Sequence, residues 1–220
     1  ARLEFEALRE SVSNNAVESF RLANYLQAIG LYRSAIFAAR EALSLAGLES
    51  QSASLTAPPY FNRIRYGFYY RDLVMTESQN FGFDPVLVYS VIRQESLFEG
   101  FVKSNAGAHG LMQIVAPTGA QIASELGWPS NYKEQDLYRP NVSIRYGTYY
   151  LEDNLDLLGG NYYAALAAYN GGPGNALAWK ELAGDDPDLF LEVTRFEETR
   201  DYIRLIYEIY NAYRFLYSPR

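Results

Sequence analysis

The chain has 220 residues and a formal net charge of −7 at pH 7, with no Cys and a single His. This length suits one good-sized domain, alone or with a small appendage, and needs no disulfide or metal to stabilise it. The composition excludes a disulfide framework, and it argues against a His-based zinc site, a Ser-His-Asp triad and a nucleic-acid partner.

No apolar run approaches the roughly 18–20 residues of a transmembrane helix, and no signal-peptide pattern opens the chain. The chain begins with Ala rather than Met, so we expect a processed or truncated product. Aromatic residues make up 15% of the sequence, and 20 of them are Tyr. Tyr combines an apolar face with a polar edge, which suits sugar binding, although an aromatic-rich helical core also explains the count.

Residues 1–58 are predicted to form a helical hairpin followed by a linker. Gly30 breaks the helical pattern of residues 14–47 and Gly47 stops it, which indicates two antiparallel helices. Small residues recur at helical spacing in the second helix, as in one unit of a tetratricopeptide-like array. One unit cannot bury its apolar face alone, so it either docks on the following domain or ends a longer superhelix. The Ser-rich segment 49–59 is predicted to be a linker.

Residues 59–220 are predicted to form the main domain, and nearly all of it is predicted to be helical. Asp84-Pro85 and Asp186-Pro187 mark helix starts, because Asp is a good N-cap and Pro suits the first helical position. No segment alternates with period two for long enough to indicate a sheet, so the predicted fold class is all-α. Further helices are predicted at 117–126, 141–158, 161–169, 174–183 and 198–216.

The stretch VYSVIRQES places a carboxylate where an apolar residue is expected. Val88, Val91 and Ile92 form one helical stripe, and Glu95 is the next position on it. Burial raises the pKa of a carboxyl group, and a rise from about 4.3 to about 6.5 would leave roughly a quarter of it protonated at pH 7. A general acid needs such a proton. The alternative is that Glu95 ends its helix near the surface and pairs with Arg93 or Arg63.

Three later stretches favour the catalytic interpretation. SNAGAHGLMQ is rich in Gly and Ala, which lets the backbone approach a ligand or another helix closely. AYNGGPG places Tyr169 and Asn170 at a helix end, and it lacks the Lys and the spacing of a phosphate loop. FEETRDY opens a long helix with Glu197 and Glu198 in its first turn, where acidic residues also serve simply to cap a helix.

The ordered motifs RQES, SNAGAHGLMQ, AYNGGPG and FEETRDY resemble those of the soluble lytic transglycosylases, lysozyme-like enzymes that cleave bacterial peptidoglycan. The resemblance covers the region 60–217 and depends on four spaced motifs in the same order. It implies a goose-type, lysozyme-like helical catalytic domain. The leading helical pair is similar to the end of the helical superstructure that precedes this domain in larger members.

The resemblance also implies a role for each motif. Glu95 would be the catalytic acid and base, and Ser104 would lie in the cleft beside the glycan subsite next to the scissile bond. Met112 and Gln113 would line the glycan groove. The other substrate-binding residues that the resemblance implies are Tyr169, close to Glu95, together with Asn170 and, on the far wall, Glu198.

The sequence departs from the family pattern after Gln113. IVAPTG stands where the family usually reads like MPATA, because the proline, Pro117, has moved by one place. Thr118 keeps its place and is predicted to start the next helix. His109 fills a variable slot of the glycine-rich motif and is predicted to lie at the surface or the rim of the cleft.

Glycosidases usually use two carboxyl groups, whereas these motifs supply only one. The resemblance implies that the muramoyl 6-hydroxyl attacks the anomeric carbon, with assistance from the substrate's N-acetyl group. Glu95 would protonate the leaving oxygen and then deprotonate that hydroxyl, which yields a 1,6-anhydro end. One alternative is hydrolysis by a goose-type lysozyme activity, with Glu198 or Asp201 as the second carboxylate. Another is a binding module for the cell wall without catalysis.

The expected partner is the glycan strand of peptidoglycan, and the chain is expected to act as a monomer. The expected location is a bacterial envelope outside the cytoplasmic membrane, either periplasmic or extracellular. No cofactor or metal is expected, since DDPDLFLE lacks the Gly and the spacing of a calcium loop. The negative charge gives no electrostatic steering towards an anionic wall polymer, so affinity must come from contacts in the cleft.

Overall fold

The computed structural model describes residues 2–218, and helices dominate it. A two-stranded antiparallel hairpin, β1 (Ala108–His109) and β2 (Ile114–Val115), and a 3₁₀ helix at Glu134–Tyr138 are the other elements of that range. The predicted all-α class is confirmed. No described helix is both long and apolar enough to cross a membrane. The helices are α1 (Arg2–Val12), α2 (Ala16–Ala28), α3 (Tyr32–Leu45), α4 (Gln51–Leu55), α5 (Pro59–Arg65), α6 (Arg71–Asn80), α7 (Pro85–Ser96), α8 (Ala116–Leu126), α9 (Pro140–Leu157), α10 (Tyr162–Gly171), α11 (Pro173–Ala183), α12 (Pro187–Val193) and α13 (Glu197–Tyr217).

Both aspartates predicted to start helices act as N-caps. Asp84 Oδ1 accepts a hydrogen bond of 2.9 Å from the backbone N–H of Val86 at the start of α7. Asp186 Oδ1 accepts bonds of 2.9 and 3.0 Å from the N–H groups of Asp188 and Leu189 at the start of α12. These bonds satisfy donors that a helix leaves open in its first turn, which explains why the Asp-Pro pairs predict the boundaries correctly.

The described residues group into two compact units, and the first contains the chain up to Tyr69, the short segment Leu97–Glu99 and the residues from Asn211 onwards. The predicted helical pair is present as α2 and α3, and Gly30 adopts a left-handed φ of 81° in the turn between them. The apolar face of this pair packs against Ile64 of α5. The tetratricopeptide-like class of this pair stays a prediction.

Part of the predicted linker at 49–59 is helical, because α4 lies within it. The Ser50 side-chain oxygen accepts a hydrogen bond of 3.2 Å from the backbone N–H of Ala53 and so caps this short helix. Ser is typical of both linkers and N-caps, so its abundance did not distinguish the two. The predicted domain boundary between residues 58 and 59 stays a prediction.

The second unit comprises Tyr70–Ser96 and Gly100–Tyr210. Its helix α7 buries Val88, Val91 and Ile92 completely, as the stripe predicts. Burial of three aliphatic side chains of this size stabilises the unit by roughly 1.5–3 kcal/mol each. The stripe therefore anchors α7 in the core and holds the last turn of the helix, which carries Glu95, in a defined position.

Candidate active site

Two cavities of the second unit, of about 650 and 400 Å³, share part of their lining. The larger volume lies within the roughly 300–1,000 Å³ typical of ligand sites. Tyr169 lines the larger cavity in addition to the shared residues. The structure thus brings together six of the seven residues that the resemblance assigns to the site. The residues shared by both cavities are Glu95, Ser104, Gln113, Asn170 and Glu198.

Glu95 occupies the last turn of α7 and is partly buried between these cavities. The pKa of its carboxyl group is raised from 4.5 to about 7, mainly by burial; the hydrogen bond from Tyr202 acts to lower this pKa, and the nearby charge of Glu198 acts to raise it. Within residues 2–218 the carboxylate forms no ion pair, so it does not pair with an arginine at the surface. A carboxyl group with this pKa is protonated in roughly half of the molecules at pH 7.

Tyr202 is the closest partner of Glu95 and was not predicted from the sequence. Its hydroxyl donates a hydrogen bond of 2.5 Å to Glu95 Oε1. Burial and the charge of Glu95 raise the pKa of Tyr202 well above its usual value, so the phenol keeps its proton and remains a donor. Helical spacing could have indicated Tyr202, because it shares one face of α13 with Glu198 and Leu205. All three residues line the smaller cavity.

Tyr169 and Met112 are joined by a hydrogen bond, but only Tyr169 lines the cavity. The Tyr169 hydroxyl donates to the Met112 carbonyl at 2.7 Å, and burial followed by the charge of Glu95 raises its pKa well above the usual range. The prediction that the Met112 side chain lines the groove is wrong, because that side chain is fully buried. It packs against Gly147 so closely that a Cβ there would lie 2.4 Å from its sulfur.

The Gln113 side chain is held by the backbone beside it. Its Nε2 donates to the carbonyl of Gly110 at 2.8 Å and to that of Val102 at 3.4 Å. With the amide nitrogen engaged in this way, the amide oxygen is the group left to accept from a ligand. Gln113 also has a left-handed φ of 50°, a conformation that non-glycine residues adopt with strain and that is often found at functional sites.

In both Ser104 and Asn170, the side-chain oxygen accepts a hydrogen bond from another residue of the chain. Ser104 Oγ accepts from the backbone N–H of Ala108 at 3.0 Å, so its own proton remains available for a ligand. Asn170 Oδ1 accepts from the hydroxyl of buried Thr199 at 2.7 Å, which leaves the amide N–H groups for a ligand. Gly171 permits this approach, since a Cβ there would lie 2.9 Å from the Thr199 hydroxyl.

Two sequence predictions near the cavities are wrong. His109 lies in β1 and is buried, with 2% of its surface exposed, rather than at the rim. Its Nε2 lies 3.2 Å from a carboxylate oxygen of Glu134, and its ring contacts Tyr138 edge to face. Helix α8 begins at Ala116, so Thr118 lies inside the first turn and lines the larger cavity instead of starting the helix.

The arrangement supplies one group that exchanges a proton near neutral pH, surrounded by hydroxyl and amide groups. Within residues 2–218 no cluster of three or more His, Cys, Asp or Glu could hold a metal ion. Glu95 can give its proton to a leaving oxygen and then take one from an incoming hydroxyl, which is acid and base catalysis at a carbon–oxygen bond.

The site lies in a region with known relatives. The family model described as "Transglycosylase SLT domain" matches residues 72–189. Proteins named soluble lytic murein transglycosylase from Salmonella typhimurium and Escherichia coli K12 are each 32% identical to this chain and cover 68% of it. The matched region is 23% and 24% of their own lengths, so the chain spans about a quarter of these curated relatives.

Solved structures show the same fold. A 70-kDa soluble lytic transglycosylase in complex with bulgecin A has a TM-score of 0.82 and 27% identity, covering 100% of this chain and 33% of its own. The lytic transglycosylase Slt from Pseudomonas aeruginosa, solved as an inactive mutant with Gln in place of a Glu, has a TM-score of 0.71 and 28% identity, covering 90% of this chain and 30% of its own. The predicted lysozyme-like fold class is therefore confirmed.

Proposed function

This chain belongs to the transglycosylase SLT domain family, and from that premise we propose that it is a peptidoglycan lytic transglycosylase. The bond that it cleaves is the β-1,4 linkage between N-acetylmuramic acid and N-acetylglucosamine, and the product carries a 1,6-anhydro end. The observation that carries this proposal is Glu95, a carboxyl group with a pKa of about 7 where two cavities meet. The Pseudomonas relative, inactive after a Glu-to-Gln replacement, supports a glutamate in this role.

Glu95 gives one proton to the substrate in this reaction and then takes a different one from it. Protonated Glu95 gives its proton to the glycosidic oxygen as the bond from that oxygen to the anomeric carbon breaks. The resulting carboxylate then removes the proton of the muramoyl 6-hydroxyl, whose oxygen forms the new bond to the anomeric carbon. No water is consumed, and Glu95 is protonated again. Attack within the same sugar has a large effective molarity, which removes the need for a second carboxyl group.

The other residues of the site bind and orient the sugars. The free amide oxygen of Gln113 can stabilise positive charge that develops on the ring. The proton of Ser104 and the amide N–H groups of Asn170 can donate to hydroxyl and N-acetyl oxygens of the substrate. Glu198 is exposed at the cavity edge, where it can accept hydrogen bonds from sugar hydroxyls.

The pH dependence tests the acid role of Glu95 through Tyr202. Activity requires protonated Glu95, so it should fall as the pH rises through about 7. The hydrogen bond from Tyr202 favours the carboxylate, so Tyr202→Phe should raise the pKa of Glu95 and move this fall to higher pH by roughly one unit. The measurement is the rate of product release from isolated peptidoglycan between pH 5 and 9.

Tyr149→Phe is the matched control for Tyr202→Phe. It also removes a phenol–carboxylate hydrogen bond, that of 3.0 Å to Glu125, but this bond is away from the cavities. The control should leave the pH profile in place. A profile that stays fixed in Tyr202→Phe, or that moves to lower pH, contradicts the assigned roles of Tyr202 and Glu95.

Tyr169→Phe should cause a milder loss, roughly 3- to 10-fold in the turnover number. The variant keeps the ring but loses the hydrogen bond to the Met112 carbonyl, and one neutral hydrogen bond contributes about 0.5–1.5 kcal/mol. Steady-state turnover on isolated peptidoglycan, together with a thermal melt to verify folding, measures the effect. If the turnover number of the variant equals that of wild type, the Tyr169 hydroxyl has no part in catalysis and the residue serves only in packing.

Product masses distinguish the proposed reaction from its alternatives. Digestion of purified wall should release muropeptides that are lighter by one water than the reducing products of hydrolysis. Glu198 and Asp201 line the smaller cavity with Glu95, which favours hydrolysis by a lysozyme-like activity as the second candidate. Reducing ends would establish that candidate. Binding to the insoluble wall without release of soluble material would indicate a binding module.

The proposed location follows from the proposed substrate. Peptidoglycan lies outside the cytoplasmic membrane, so we place the protein in the envelope of a bacterium. Relatives include proteins named soluble and others named membrane-bound lytic murein transglycosylase, which are both consistent with that location. We propose glycan strands as its partner, bound by a monomer.

A further inference from the structure

A third cavity of the second unit is lined mainly by tyrosines and lies apart from the Glu95 cavities. Its volume is about 230 Å³, and none of its lining residues lines the other two. Leu87 of this cavity precedes Glu95 by eight residues on α7, which corresponds to roughly 12 Å along the helix axis. We call it the tyrosine pocket, and its lining residues are Asp84, Leu87, Tyr162, Tyr207 and Tyr210.

The walls of the tyrosine pocket are apolar, flat and held in place. Tyr162 is 41% exposed at the start of α10, whereas Leu87 is 8% exposed and provides an apolar wall. The ring of Tyr207 stacks on Tyr163 with centroids 4.8 Å apart and an angle of 24° between the planes. Because the rings are positioned without a ligand, little conformational entropy is lost when one binds.

The polar groups of the pocket are fixed as well. Asp84 Oδ2 accepts a hydrogen bond of 2.8 Å from the Tyr210 hydroxyl, and Oδ1 accepts one of 2.9 Å from the N–H of Val86. A carboxylate has about four acceptor sites, so each oxygen keeps one for a ligand hydroxyl. Among its lining residues there is no Lys, Arg or His, so the pocket disfavours an anionic ligand.

A sugar ring fits this combination of surfaces. Its carbon–hydrogen face packs on aromatic rings, and its hydroxyl groups donate to a fixed carboxylate. The volume is below the roughly 300–1,000 Å³ typical of drug-sized ligands, so one ring fits better than an extended oligosaccharide. The negative charge of Asp84 favours a neutral sugar over one that carries a carboxylate.

We propose that the tyrosine pocket is a second carbohydrate site, which binds one neutral N-acetylhexosamine ring of a glycan strand outside the cleft. The proposal depends on the proposed function only for the choice of glycan as ligand. Two attachment points on one polymer make the second binding event intramolecular and raise the overall affinity without a new contact in the cleft. The pocket therefore serves to retain the protein on an insoluble substrate.

The test is a titration of the Glu95→Gln protein with the disaccharide N,N′-diacetylchitobiose, followed through backbone amide NMR signals. Two groups of signals should shift, one near Leu87 and Tyr162 and the other near Ser104 in the cleft. Tyr162→Ala, made in the same background, should weaken binding at the pocket signals roughly 3- to 10-fold and leave the cleft signals unchanged. Tyr25→Ala removes a tyrosine that is 53% exposed in the first unit, and it should change neither group.

Each outcome bears on the tyrosine pocket or on the cleft separately. The second site is overturned if the pocket signals do not shift. It is also overturned if these signals give the same affinity for the disaccharide with and without Tyr162→Ala. Stronger binding of the acidic dipeptide L-alanyl-D-glutamate than of the sugar at the pocket signals also overturns it and indicates a peptide site. Shifts at the pocket without shifts near Ser104 support the second site and count against the proposed catalytic cleft.

Discussion

Replacing Glu95 with Gln is expected to reduce the release of soluble products from peptidoglycan by about 10²–10⁴-fold. The amide has nearly the same shape as the carboxyl group but does not give up a proton at neutral pH. Tyr202 can still donate its hydrogen bond, now to the amide oxygen, so the packing around position 95 should persist. The measurement is the initial rate of product release at pH 6, where wild-type Glu95 is mostly protonated.

Glu192→Gln is the control for this prediction. Glu192 is an exposed residue of α12 that lines none of the three cavities of the second unit described above, so its neutralisation should leave the rate unchanged. Circular dichroism should show the same helix content in wild type and both variants. Release of anhydro products by Glu95→Gln at a rate near that of wild type would refute the acid role.

Gly110→Ala is expected to lower the free energy of unfolding by about 2–5 kcal/mol. Gly110 has a φ of +76°, which costs a residue with a Cβ about 1–2 kcal/mol. A Cβ would also lie 2.0 Å from the backbone carbonyl oxygen of Leu137 and 2.9 Å from the hydroxyl of Ser143. Moving the backbone to relieve such a contact typically costs a further amount of about 1–3 kcal/mol. Urea denaturation measures the difference, and a variant too unstable to purify agrees with it.

Gly107→Ala separates the two causes of this loss. Gly107 has nearly the same φ, +79°, but a Cβ there would meet nothing within 4 Å. The control should therefore lose only about 1–2 kcal/mol, the cost of the left-handed conformation. Equal losses for the two variants would show that the close approach to Leu137 contributes nothing. The comparison matters for the site because Gly110 accepts the hydrogen bond that holds the Gln113 side chain.

Because the pKa of Glu95 is raised in the folded chain, the free energy of unfolding decreases as the pH rises. This pKa is about 7 in the folded chain and 4.5 when unperturbed, so the folded state holds more protons than the unfolded state between these values. Stability is unaffected below pH 4.5 and declines as the pH rises towards 7, by roughly 3 kcal/mol in total. The burial that keeps Glu95 protonated near neutral pH therefore also lowers the free energy of unfolding at that pH.

Much of the fold is determined by local sequence signals. The helix starts at Asp84 and Asp186 and the turn at Gly30 follow from backbone preferences within a few residues, and these agree between sequence and structure. The position of Glu95 on the apolar stripe of α7 is equally local, since helical periodicity alone relates it to its neighbours. The candidate acid was therefore identifiable from the chain, whereas the burial that raises its pKa depends on the packing of other elements.

Only the tertiary structure decided which distant groups meet. Tyr202 lies 107 positions from Glu95 along the chain, and periodicity predicts the face of a helix but not the partner that the face meets. Comparison with the family motif placed His109 at the rim and the Met112 side chain in the groove, whereas both are buried, with His109 against Glu134 and Met112 against Gly147. Contacts between separate elements depend on the shapes of both surfaces, and a single segment contains only one of them.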